Sequence, residues 1–195
     1  MDDTGSAGMA HPFEWLSPPA RRQAFIATCA LAFAIMPAMA VFDGPLRTGD
    51  APFGIVSFEL ARTAAKAGAI LASWDAAARV SAGLSLGLDY LFLFAYALAL
   101  ALGCVLVGGL ARNRGTWLAA LAAPLAWSLL LAAVLDAVEN YALIRLLLGE
   151  GGGEWPALAW GCAVPKFVAV ALGLLYLTGG GLASALRGGG GKAIS

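Results

Sequence analysis

Four long apolar runs, roughly Ala24 to Phe42, Leu84 to Leu110, Thr116 to Leu148 and Leu158 to Leu177, constrain this chain more than any other feature. Each supplies the twenty or so residues that cross about 30 Å of hydrocarbon. Backbone N–H and C=O groups find no water at that depth, so such runs fold as helices that satisfy their own hydrogen bonds. No alternating ten-residue pattern of the kind that builds a membrane barrel is present. At 61% apolar and 12% charged residues, with a mean hydropathy of +0.81, the chain reads as an integral membrane protein. The expected fold is all-α, a four-helix transmembrane bundle over residues 21–186. A flexible cytoplasmic tail, residues 1–20, and a flexible glycine-rich tail, residues 187–195, flank it.

Arg21 and Arg22 precede the first run, Arg112 and Arg114 separate the second and third, and Arg187 and Lys192 follow the fourth. Positive charge accumulates on the cytoplasmic side, which predicts that both termini are cytoplasmic. The segment from Asp43 to about Gly83 and the loop with Glu150 and Glu154 then face outward. Trp74, Trp117, Trp155 and Trp160 fall near the expected interfaces. Arg21, Arg22, the first apolar run and Ala38-Met39-Ala40 also resemble a secretory signal and its cleavage site. The acidic stretch before the run and its full spanning length favour an uncleaved first helix.

Helical spacing over Ile55 to Leu71 predicts an outer interfacial helix at about 55–72, between the first and second spans. Its Glu59 and Thr63 face could fold over the bundle mouth as a lid, but local pairing of Glu59 with Arg62 and Lys66 is the favoured expectation. Ser73 is the expected N-cap of the next helix, with Asp75 in its first turn. Gly83 and Gly87 suggest a close helix approach, and Pro124 a kink in the third span.

The third run is broken by Asp136, Glu139 and Asn140, which spacings of three and four place on one helix face. A charge near the bilayer centre costs about 3 kcal/mol on insertion scales, so such groups face protein, a partner or water. Counted from the outer helix ends, Asp89 lies about 22 Å below Trp74, Asp136 about 18 Å below Leu148 and Lys166 about 15 Å below Pro156. These depths define one polar layer in the outer half of the bundle, with Tyr96 a level deeper. Three carboxyls against one ammonium leave uncompensated negative charge, which a shared proton, a bound cation or a cationic substrate group would balance. Arg145 lies too far along the third helix to join the layer and is expected to reach outward.

Other chemistry is excluded. Cys29, Cys104 and Cys162 lie in separate runs and read as small core residues, with no redox pair or zinc site. The lone histidine, His11, lies in the amino-terminal tail, which removes histidine-ligated metals, haem and an intramembrane histidine base. Zero net charge gives no reason to expect nucleic-acid binding. An oxygen-rich set of Asp89, Asp136 and Glu139 would suit a divalent cation such as magnesium, manganese or calcium. The aromatic group Tyr90, Phe92, Phe94 and Tyr96 reads as lipid-facing or core packing.

Through Ile55 to Ala61, Leu88 to Phe92 and Asp136 to Asn140, the chain resembles a group of small bacterial four-helix integral membrane proteins of unassigned activity. That resemblance implies the bacterial cytoplasmic membrane. Small multidrug exporters share only the layout, since their first-helix glutamate has no counterpart in Ala24 to Phe42. Sterol-isomerase-like bundles share the long segment after the first helix and intramembrane acids around an apolar cavity.

Lys166 paired with Asp136 or Glu139 could act simply as a polar lock between helices, but the number of converging groups favours a working site. Three readings remain open. The leading one is binding of a membrane lipid or small amphiphile by Asp89, Tyr96, Asp136, Glu139, Asn140 and Lys166. The second is an intramembrane enzyme, metal-assisted, acting on a lipid head group or isoprenoid. The third is a structural subunit that stabilises a membrane partner protein or a homo-oligomer.

Overall fold

A computed structural model describes residues 9–113, 117–150 and 153–188, with side chains described to residue 180. Arg114, Thr116, Lys192 and the far ends of both tails lie outside the described residues. The described elements are α1 (Pro18–Asp43), a 3-10 turn (Gly44–Leu46), α2 (Ile55–Glu59), α3 (Ala64–Ser73), α4 (Ala76–Asn113), α5 (Leu118–Leu147) and α6 (Trp155–Gly188). Helices α1, α4, α5 and α6 are long and apolar enough to cross a membrane, and the protein is multi-pass by that measure. All-α architecture with a short apolar helix between the first two spans is therefore the observed fold.

Helix α4 is the hub, packing against α1, α5 and α6. Helix α1 stands on its flank, with Ile35 as its one buried residue. At 38 residues α4 is longer than a bilayer needs, and its surplus amino-terminal turns lie under the α2–α3 segment. There Ala78, Ala82 and Leu86 join Leu46, Phe58, Ile70 and Trp74 in one apolar core. A second core at the other end joins Phe13, Leu102, Cys104, Leu129 and Tyr176. On α4, α5 and α6 the predicted polar residues fall between these two cores in sequence.

Several local expectations are corrected. The single interfacial helix is two, because Arg62 takes a left-handed φ of 59° and Thr63 restarts the chain by capping α3. These helices form a packed cap on the bundle, with Phe58 stacked edge-on against Trp74 at 5.2 Å. The Trp74 indole donates to the Leu46 carbonyl at 2.8 Å, and the ring is buried in the cap. Ser73 ends α3, its hydroxyl bonded to Ile70 and Thr48, and Asp75 is the residue that accepts the α4 amide of Ala78, at 2.8 Å. Asp43 does the same for α2, accepting from the Ile55 amide at 2.9 Å. The preceding Gly54 has a φ of 57°, and a Cβ there would meet the Asp43 carboxylate at 2.0 Å, so only glycine fits this turn.

The amino-terminal segment also departs from a flexible tail over residues 9–16. Phe13 is buried in the second core, Arg21 Nε donates to the Phe13 carbonyl at 3.0 Å, and the Trp127 indole donates to the Ala10 carbonyl at 3.0 Å. One aromatic anchor and two side-chain donors, Arg21 of α1 and Trp127 of α5, thus hold this stretch as a strap across the bundle end. Close helix approach occurs at Gly108, where a Cβ would meet Ala122 Cβ at 2.2 Å, while a Cβ at Gly87 would meet nothing within 4 Å.

Candidate functional site

Asp136, Glu139 and Asn140 project from one face of α5 and are all buried. Helix α6 answers with Lys166, directly after Pro165, and α4 contributes Asp89 and Tyr96, two turns apart. The Lys166 ammonium is the centre. Its Nζ donates to Asp136 Oδ1 at 2.9 Å, lies 2.8 Å from Glu139 Oε2 and is 3.7 Å from Glu59 Oε2. The contact with Glu139 is a close ion pair whose angles fall outside good hydrogen-bond geometry. The Tyr96 hydroxyl donates to the second Asp136 oxygen at 2.7 Å, and Asn140 donates to Asp89 at 2.6 Å. The structure thus brings together all the residues singled out from sequence, in two linked groups: acids around Lys166, and the Asp89–Asn140 pair beside them.

Glu59 corrects the favoured expectation of local pairing. Helix α2 ends at Glu59, ahead of the break at Arg62, and the carboxylate turns inward to Lys166. Its expected partners go elsewhere: the Arg62 guanidinium lies 4.7 Å from the centre of the Trp160 ring, and Lys66 donates to the Asp50 carbonyl at 3.1 Å. Arg145 reaches outward, paired with Glu150 and flanked by the Tyr141 and Trp155 rings. Within the aromatic group, Phe94 is exposed, while Phe92 packs against Tyr96 with ring centres 5.4 Å apart. Asp89, Asp136 and Glu139 do not form one metal-ligand set, since Asp89 faces Asn140 and the other two face an ammonium. Among the described residues no cluster of acid, histidine or cysteine side chains has metal-binding geometry.

Three carboxyls now surround one ammonium and a fourth, Asp89, lies beside them, so the excess of acids is larger than the sequence showed. Burial pushes the Glu59 carboxyl above its ordinary value of 4.5, with Lys166 pulling the other way. A carboxyl whose folded-state value is raised stabilises the fold fully below its unfolded value, and loses that contribution as pH rises through the folded one. The heat-denaturation midpoint should therefore fall from mildly acidic to mildly alkaline buffer. Glu59→Gln, which cannot ionise, should flatten that slope; an unchanged slope would show that Glu59 does not titrate with folding.

A cavity of about 480 Å³ opens beside the layer. Cys29, Ala32, Phe33 and Met36 of α1 and Phe167 and Val170 of α6 give it apolar walls, while Glu59, Asp89, Tyr96, Asp136 and Lys166 line it on the polar side. Cys29 is therefore a wall residue, in contrast to the buried Cys104 and Cys162. Glu139 and Asn140 are not among the lining residues; they hold Lys166 and Asp89. Helix α1 had offered no sequence signal of this role, because its lining residues are as apolar as those that face away.

Comparison with known proteins finds no family model, no curated protein and no solved structure that matches the chain. What its own residues establish is a multi-pass membrane protein in which α4, α5, α6 and the α2 segment enclose a salt-bridged polar layer.

Proposed function

We propose that the protein binds a lipid or small amphiphile whose polar end donates hydrogen bonds, an ammonium or a hydroxyl, with its chain in the cavity between α1 and α6. The observation that carries this reading is Glu59 Oε2, an acceptor buried without a hydrogen-bond donor on the polar side of a mostly apolar cavity. Leaving such a group unsatisfied costs about 1–3 kcal/mol, and a donor on the ligand recovers it. Surplus carboxyls in the same layer favour a cationic or neutral head over an anionic one. From the arginine distribution we further propose that both termini face the cytoplasm of a bacterial inner membrane, which puts the polar layer in the outer half of the bilayer.

Dodecylamine, dodecanol and dodecanoate, added to the detergent-solubilised protein and followed by native mass spectrometry, test the reading. The amine and alcohol should be retained and the carboxylate should not. Asp136→Ala should lose retention yet stay folded, because Lys166 keeps Glu139 and Glu59 as counter-charges. Equal retention of all three probes, or normal binding by Asp136→Ala, would contradict the proposal.

A further inference from the structure

The opposite end of the bundle holds a second, larger cavity, of about 820 Å³, lined by the strap, by Arg21 of α1, by the last turns of α4 and by the first turns of α5. Its polar groups are His11, Glu14, Arg21 and Arg112, so two guanidiniums and an imidazole face one carboxylate. Arg21 is committed in part to structure, since Nε and Nη2 donate to the Phe13 and Glu14 carbonyls at 3.0 and 3.4 Å. His11 Nδ1 accepts the Phe13 amide at 3.1 Å, which fixes the neutral ring's proton on Nε2 and makes that atom a donor. Among the described residues no hydrogen bond or ion pair engages the Arg112 guanidinium. Both arginines act on the same spot: after burial, the charges of Arg21 and Arg112 help to hold His11 below its ordinary value of 6.5.

The cavity lies where α4 ends and α5 begins, at the edge of the spanning segments, and one wall, with Val105 and Ala122, belongs to the apolar core. Fork-shaped and ring donors above an apolar wall match a tetrahedral anion carrying hydrocarbon chains. We propose that this cavity is a binding site for a phosphate ester, with Arg112 and His11 donating to its oxygens, Arg21 adding charge while it pins the strap, and Val105 and Ala122 receiving the first carbons of the chains. The site is separate from the layer around Lys166.

The phosphate could belong to a phospholipid head group or to free phosphate, and the full chain in detergent distinguishes them. Dioleoylphosphatidylglycerol, dioleoylglycerol and inorganic phosphate are added separately while the heat-denaturation midpoint and retained adducts are recorded. Phosphatidylglycerol should raise the midpoint and be retained, and dioleoylglycerol, which lacks the phosphate, should do neither. Stabilisation by inorganic phosphate alone would assign the site to the free anion; no effect of it assigns the lipid. Arg112→Gln should weaken the effective ligand by roughly tenfold or more, through loss of charge-assisted hydrogen bonds, and Arg112→Lys by less. Without lipid both variants should melt with the wild type, since among the described residues the Arg112 guanidinium has no hydrogen-bond or ion-pair partner to lose. Equal effects of phosphatidylglycerol and dioleoylglycerol, full binding by Arg112→Gln, or unfolding of Arg112→Gln without lipid would each overturn the proposal.

Discussion

Lys166→Met is expected to be the most damaging single substitution in the bundle. Among the described residues the ammonium is the only cation in contact with the acids of the polar layer, and it links three elements, Glu59 of α2, Asp136 and Glu139 of α5, and its own α6. Removing it leaves buried carboxyls to face one another without a counter-charge, a change that costs about 3–5 kcal/mol when one partner of a buried pair is lost. Methionine fills nearly the same length with apolar atoms, so the loss would report charge and not volume. The expected result is a protein that denatures well below the wild type or elutes as aggregate on size-exclusion chromatography after mild extraction. A Lys166→Met protein that extracts and melts normally would mean that the acids hold protons and need no cation.

Ala32→Trp should abolish dodecylamine binding while leaving the fold intact. Ala32 sits on the flanking helix α1, on the cavity wall, and its methyl side chain takes no part in the ion pairs or hydrogen bonds of the layer. An indole added there occupies the space between α1 and α6 and blocks the apolar half of the site, with the layer behind it undisturbed. Because α1 packs chiefly on α4 and is otherwise little buried, it can accommodate the ring by a small outward shift, so the penalty of overpacking stays below the usual 1–3 kcal/mol or so of a closed core. Native mass spectrometry would show the amine adduct in the wild type and none in the variant. If the adduct persists, the amphiphile sits elsewhere, whatever the carboxyl variants do.

The parts of this molecule legible in the sequence were those governed by solvent and local geometry. A bilayer demands about twenty apolar residues per crossing, so four runs gave four helices, and the fixed rise of a helix put Asp89, Asp136 and Lys166 at one depth. Spacings of three and four placed Asp136, Glu139 and Asn140 on one face for the same reason. The parts that were not legible depend on tertiary contacts. Glu59 has arginine and lysine neighbours at helical spacing, and only the turn at Arg62, which no glycine or proline announces, directs it inward to Lys166. The strap was hidden similarly, because a polar, proline-containing stretch gives no sign that Phe13 alone will anchor it in the far core. Even Asp89, correctly placed in depth, finds its partner in Asn140 and not in Lys166, a choice of side-chain direction that depth arithmetic does not reach.

The most direct test of the buried layer is the stability of Lys166→Met with and without Asp136→Asn, measured by heat denaturation in the same detergent. If the carboxylate of Asp136 is held inside the bundle by the ammonium 2.9 Å away, neutralising it should restore part of what Lys166→Met loses, although Asp136→Asn alone restores nothing in the wild type. The double variant should therefore melt above Lys166→Met. A double variant that melts at or below it would show that the two groups do not share a buried environment, and the layer as described would be wrong.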